Sequence, residues 1–279
     1  MNATPLIELD DVRVAFTGGG LRRTKTEVLH GVSLDIRPGE THGLVGESGS
    51  GKTTIGRAIL GLVPLESGSI RFRGERIDGL RGTRRRALAT QVQVVFQDPY
   101  TSLNPSLTIG DTLAEPLRAQ GMGLADARRR IRELLDAVAL PSGAADRLPR
   151  EFSGGQRQRV AIARALAIRP ALIVCDEAVS ALDLTTQRTV LELLLSIQKE
   201  TGVSYLFISH DLSVVRHMSH RVSVIYRGDI VESGDAAVVT SAPSHPYSRK
   251  LLLSAPVVDP AAQAERRRQF ESEFAGARR

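Results

Sequence analysis

The chain has 279 residues and a 42% hydrophobic share, enough for one large domain or two small ones with a sizeable core. No apolar stretch approaches the roughly 20 residues that cross a bilayer. The opening MNATPLIELDD lacks the basic region and apolar core of a signal peptide, and the single cysteine excludes a disulfide framework. A formal net charge of +6 raises the question of a nucleic-acid partner, but only 4% of residues are aromatic and none interleaves with the arginine clusters at 84–86, 128–130 and 266–268. Solvated faces explain those clusters, and no nucleic-acid partner is expected.

In chain order, Val12, Val14 and Phe16 alternate, as do Val32, Leu34 and Ile36, so each set reads as a strand. Gly18-Gly19-Gly20 and the basic stretch after it read as the loop between them. Thr41–Val45 is a short strand running into a glycine-rich turn. A helix is expected from Lys52, with Ile55, Ile59 and Leu62 on one face and Pro64 ending it. Ile70 and Phe72 mark another strand, and Gln91–Phe96 a further one. From about 98 to 165 helical stripes dominate: Ile131, Leu134, Leu135 and Val138, then Val160, Ala163 and Ala167. Ala171–Cys175 is a continuous apolar run, as in a fully buried parallel strand, and Cys175 there packs as a small hydrophobe. A helix over Thr185–Glu200, a strand over Val203–Ser209, a helix over Leu212–Ser219 and a strand over Val222–Tyr226 follow. This alternation predicts an α/β layered core. The portion from about 241 reads as an appendage with helical pieces.

Between the strand at Thr41–Val45 and the following helix lies Gly46-Glu47-Ser48-Gly49-Ser50-Gly51-Lys52-Thr53, with Thr54 after it. It fits G-x-x-x-x-G-K-[ST] in the strand–turn–helix context that gives the pattern its meaning. Glycines let successive N–H groups turn toward phosphate oxygens, and the helix adds its positive end. Lys52 supplies a point charge for the β- and γ-phosphates, and the Thr53 hydroxyl is placed to hold Mg²⁺. The run Leu172–Cys175 ends in Asp176-Glu177. At the C-terminal end of a parallel strand, Asp176 is the natural partner of Mg²⁺. Glu177 is the natural base or water-positioner for attack on a γ-phosphate.

Further motifs complete a pattern that resembles the ATP-binding cassette ATPases. Ser153-Gly154-Gly155-Gln156 before a helix matches their signature sequence, and Phe96-Gln97-Asp98-Pro99 looks like their glutamine loop. Ser180-Ala181-Leu182-Asp183 looks like their D-loop, and His210 like their switch histidine. The order runs through residues 6–235. The resemblance implies a P-loop NTPase fold with a RecA-like core, an antiparallel β subdomain and a helical subdomain at about 98–165. It also implies ATP hydrolysis in a head-to-tail dimer, where one chain's signature closes the other chain's phosphate loop. By position, Gln97 would touch Mg²⁺ and the attacking water, His210 the γ-phosphate, and Phe16 the adenine. Phe16 is also in phase with Val12 and Val14, which leaves a core role open. A hydrolase reading of Ser209-His210-Asp211 is disfavoured, because triad members meet through separate elements.

Within that family, Phe96–Pro105, Glu151–Arg159, Val179–Asp183 and His245-Pro246-Tyr247, with Leu251–Leu253 and Ala255-Pro256, look most like oligopeptide- and dipeptide-type importer ATPases. That resemblance implies a peripheral subunit on the cytoplasmic face of the membrane. It would pair with a second ATPase subunit, two permease subunits and, indirectly, an external substrate-binding protein. Residues 236–279 would form that group's C-terminal extension. Nickel and glutathione importers use very similar ATPases, so these substrates stay open beside peptides. A non-transport cassette and a degenerate, non-hydrolysing one are the remaining alternatives; Glu177 and His210 argue against the latter. The sequence departs from the family at Ala178, where proline is usual, and this loosens the turn after the carboxylate pair. It also lacks the later cysteines of many relatives, so a metal cluster there has no support.

Overall fold

The computed structural model describes residues 4–17, 24–98 and 102–254, with 264–268, 270 and 272. The expected glycine loop at 18–20, Pro99 and the Ala255-Pro256 pair lie outside the described residues. In chain order the elements are β1 (Ile7–Thr17), β2 (Lys25–Ile36), β3 (Thr41–Val45), α1 (Lys52–Ile59), β4 (Ser67–Phe72), β5 (Glu75–Arg76), α2 (Gly82–Gln91) and β6 (Val92–Val95). Then come α3 (Ile109–Ala119), α4 (Leu124–Ala137), α5 (Gly154–Leu166), β7 (Leu172–Asp176), α6 (Leu184–Thr201), β8 (Ser204–Ser209) and α7 (Leu212–Met218). The last are β9 (Arg221–Tyr226), β10 (Asp229–Asp235), α8 (Ala236–Val239) and α9 (Pro246–Ser254).

The described chain divides into two compact units. One comprises the residues up to Ile36, Thr41–Asp78 and those from Phe207 onward; the other comprises Arg37–Glu40 and Gly79–Leu206. In the first unit β1 pairs antiparallel with β2 and with β4, and β5 extends the sheet from β4. Alternation decides the buried face: Ile7, Leu9, Val12, Val14, Leu29, Val32 and Ile36 are all at most 2% exposed. Also in this unit β3 runs parallel to β9, and β9 forms a hairpin with β10. All five residues of β3 are buried, as expected of a strand covered on both faces. In the second unit β6 and β7 are parallel partners, with Val92 opposite Leu172 and Val95 opposite Cys175. The helical stripe at Ile131, Leu134, Leu135 and Val138 is buried, as is that at Val160, Ala163 and Ala167.

Two expectations need correction. α1 stops at Ile59, because Gly61 takes a left-handed φ of 58°, and Leu62 is 61% exposed rather than on the buried face. Phe16 is 42% exposed, so the in-phase core role does not hold. β10 and α2 are elements that periodicity did not show. No described helix is long and apolar enough to cross a membrane.

Candidate nucleotide site

The glycine-rich turn leaves the buried strand β3 and enters α1 at Lys52. A side-chain carbon at Gly46 would lie 2.3 Å from the Ile225 carbonyl oxygen and 2.8 Å from Ser50 Oγ. Gly51 has φ 109° and sits against Leu29 and Ile225, so only glycine fits there without strain. The Lys52 ammonium, on a residue 4% exposed, donates to the carbonyls of Gly46 (2.8 Å) and Glu47 (2.9 Å). Those bonds compensate the burial of a charge and draw the amine under the loop. Ser50 N donates to Glu47 O, and Gly228 N, from the β9–β10 turn, donates to Ser50 O at 2.9 Å. Thr53 and Thr54 are half-buried in the first turn of α1. The loop is therefore a tied, preformed cradle at a helix N-terminus, the arrangement that receives phosphate.

One contact to this loop was not expected from sequence. Tyr247, in α9, accepts a hydrogen bond from Glu47 N at 3.0 Å through its hydroxyl. Its ring lies 4.2 Å from that of Tyr226, centroid to centroid. The HPY triplet was the available signal, but it reads as a group marker rather than as a neighbour of the loop. His210, in the same unit, follows β8 and is exposed. Asp211 caps α7 by accepting from Ser213 N (2.8 Å) and Val214 N, a helix-capping role that accounts for it without a hydrolase triad.

In the second unit β7 carries Asp176 and Glu177 at its C-terminal end, both half-buried. Glu177 has φ 51°, a left-handed conformation that costs a non-glycine residue about 1–2 kcal/mol. The turn is held by Ser180, whose N–H and hydroxyl both donate to Glu177 O. Ala178 in that turn is buried. Gln97 follows β6 and is exposed. Ser153 caps α5 reciprocally: its hydroxyl accepts from Gln156 N, and Gln156 Oε1 accepts from Ser153 N at 2.9 Å. Gly154 leaves open space, with Leu182 Cδ2 4.0 Å from where its side-chain carbon would sit. Gly155 packs against Thr186, where such a carbon would lie 2.1 Å from Thr186 Cγ2. Asp183 caps α6 by accepting from Thr185 N and Thr186 N; bonds from Thr186 hold its pKa below the usual value. The residue after it, Leu184, is 85% exposed.

Cys175 is fully buried on β7, and desolvation pushes its thiol up to about 12, so it acts as a packing group. Among the described residues no group of three or more His, Cys, Asp or Glu side chains could hold a metal. Mg²⁺ takes oxygen donors and leaves most of its shell to phosphate and water, so the Thr53 hydroxyl and the Asp176 carboxylate are each, taken singly, of the donor class it accepts.

A buried strand, a glycine-tied loop and a helix that begins at a buried lysine define a P-loop nucleotide-binding cassette. The ABC transporter family model matches residues 29–180, more than half of the chain, and the chain belongs to this family. The glutathione import ATP-binding protein GsiA of Escherichia coli (strain K12) is 51% identical over 258 residues, 91% of this chain and 41% of that protein. GsiA of Salmonella typhi is 50% identical over the same lengths. The chain thus spans about two fifths of the length of these curated relatives. Among solved structures, the cassette MJ0796 in a dimeric post-hydrolysis state bound to ADP and Pi matches with a TM-score of 0.74 and 29% identity, covering 82% of this chain and 98% of that one. CbiO1 from Clostridium perfringens, part of the ABC transporter complex cbiONQ, matches with a TM-score of 0.75 and 26% identity, covering 86% and 92%. The fold is accordingly that of an ABC cassette: RecA-like core, antiparallel β portion and helical portion.

Proposed function

We propose that this chain binds and hydrolyses ATP as the energy-coupling subunit of an ABC importer for small peptides, glutathione included. The observation that carries the reading is the tied phosphate loop, with Lys52 buried beneath it at the start of α1. Gly46–Thr54 would hold the nucleotide phosphates, and Thr53, Gln97 and Asp176 the Mg²⁺. When bound, ATP supplies a γ-phosphoryl group open to attack by water. Glu177 takes the proton from that water or orients it, His210 donates to the phosphoryl oxygens, and Gln97 positions the water. Phe16, exposed on β1, offers a ring face for adenine. The start of α5, with Ser153 and Gln156 closing its cap, presents the N–H groups of Gly154 and Gly155 to the phosphates of a partner cassette.

On this reading residues 98–165 form a helical subdomain that meets the permease pair, residues 236–279 are an extension, and the chain works at the cytoplasmic face of the membrane. The importer assignment draws on the relatives' names; peptide or glutathione cargo is chosen because both the HPY-type tail and the GsiA likeness point to small peptides. Complementation tests the dimer. A Lys52→Ala chain has no working loop, and a Gly154→Asp chain has no working signature. Each alone should be inactive. Their mixture should regain ATP turnover, because one intact composite site forms. A mixture as inactive as its parts would overturn the head-to-tail reading. A binding-protein ligand that is neither peptide nor glutathione would overturn the cargo.

A further inference from the structure

We propose that Tyr247 is a positioning residue for the phosphate loop: its hydroxyl fixes the peptide plane that holds Lys52. This rests on the reading that residues 46–53 receive nucleotide phosphates. The Gly46–Glu47 peptide unit is held at both ends. Its carbonyl accepts from Lys52 Nζ at 2.8 Å, and its N–H donates to Tyr247 Oη at 3.0 Å. An amide has one hydrogen, so this N–H faces the tyrosine and not the cradle. Rotating that peptide would move the carbonyl and take one of the two bonds that orient the ammonium. The tyrosine thus acts on the phosphate charge through the backbone, without touching a phosphate.

The tyrosine is itself secured. Its ring packs against Tyr226 at 4.2 Å, on the strand whose turn also supplies Gly228 N to Ser50 O. The segment entering α9 is anchored on Glu232 of β10. Oε1 accepts from Ser244 N (2.7 Å) and Ser244 Oγ (2.9 Å), and Oε2 accepts from His245 N (3.2 Å). His245 Nδ1 accepts from Tyr247 N at 3.2 Å, which sets the direction of the tyrosine. Through the chain from Glu232 by way of His245 to Tyr247, residues of the HPY triplet dock α9 on the nucleotide loop. Partial burial holds the Tyr247 hydroxyl pKa above its usual value, so it remains protonated and can accept from the amide while keeping its own proton.

The test is ADP–Mg binding by titration calorimetry on the full chain. Tyr247→Phe removes the hydroxyl and keeps the ring. One net hydrogen bond of preorganisation predicts an affinity about 2- to 10-fold weaker. Tyr226→Phe, which keeps the ring contact, should bind as wild type does. Glu232→Ala should weaken ADP binding in the same direction. Added to Tyr247→Phe it should cost nothing further, because both act through one bond; a generic loss of stability would instead add. If wild type binds ADP and Tyr247→Phe binds equally well, the positioning role is overturned and the phosphate-loop reading stands. If the two substitutions add in full, the anchor does not act through the tyrosine and the proposal also fails. If wild type binds no ADP, the phosphate-loop reading falls first.

Discussion

Replacing Gly155 with alanine should break the contact that seats the signature helix. Its added carbon would lie 2.1 Å from Thr186 Cγ2, against ordinary carbon contacts of about 3.5–4.0 Å. Thr186 is β-branched and sits in the first turn of α6, and its side-chain bond to Asp183 opposes turning Cγ2 away. Overpacking of this kind costs about 1–3 kcal/mol. Alanine's better helix propensity offsets little of this at the second helical position, where the backbone is only partly committed. Equilibrium urea unfolding followed by far-UV circular dichroism should show that loss with an unchanged slope. Thr186→Ser removes Cγ2 and keeps the hydroxyl, so the double variant should regain most of it; the coupling should be at least about 0.5 kcal/mol. A Gly155→Ala protein within about 0.5 kcal/mol of wild type would refute the close-packing argument. So would a double variant as weak as the single one.

Other consequences follow from buried groups. Cys175 is fully buried with its thiol pushed up to about 12; at pH 8 iodoacetamide should leave it unlabelled until the chain is unfolded in guanidinium, and rapid native labelling would contradict its burial. Tyr205→Phe removes a buried hydroxyl that donates to Leu194 O at 3.1 Å, and should lower stability by about 0.5–1.5 kcal/mol; no change would show that this bond contributes nothing net. Glu232 titrates below its ordinary value of 4.5; burial opposes ionisation, but the hydrogen bonds at the start of α9 outweigh it. A depressed folded-state pKa stabilises above the unfolded value and is lost as pH falls through the folded one. With no tryptophan in the chain, tyrosine fluorescence should report α9 loosening only below pH 4.5, and Glu232→Gln should abolish that acid-side change.

Much of the cassette was legible because its parts are local. The β3–loop–α1 unit is fixed by apolar strand, glycines and lysine in one stretch, and the buried stripes of α4 and α5 follow from spacing alone. β10 was missed because Asp229-Ile230-Val231-Glu232-Ser233-Gly234-Asp235 is largely half-exposed and polar, so alternation is faint. The better sign was its turn, where Arg227 and Gly228 take φ of 48° and 88° and the backbone reverses onto β9. Leu62 was misplaced because periodicity does not show where a left-handed glycine stops a helix. Tyr247 was beyond reach for a different reason. Its partner is an amide 200 residues away, and nothing in a three-residue motif encodes a contact of that range.

The central claim is that Glu177 activates water against bound ATP, and the most direct test is phosphate release by wild type and Glu177→Gln at matched ATP occupancy. The account predicts equal ATP binding and release slowed by about 100-fold or more in the variant. Equal release from both proteins would contradict it.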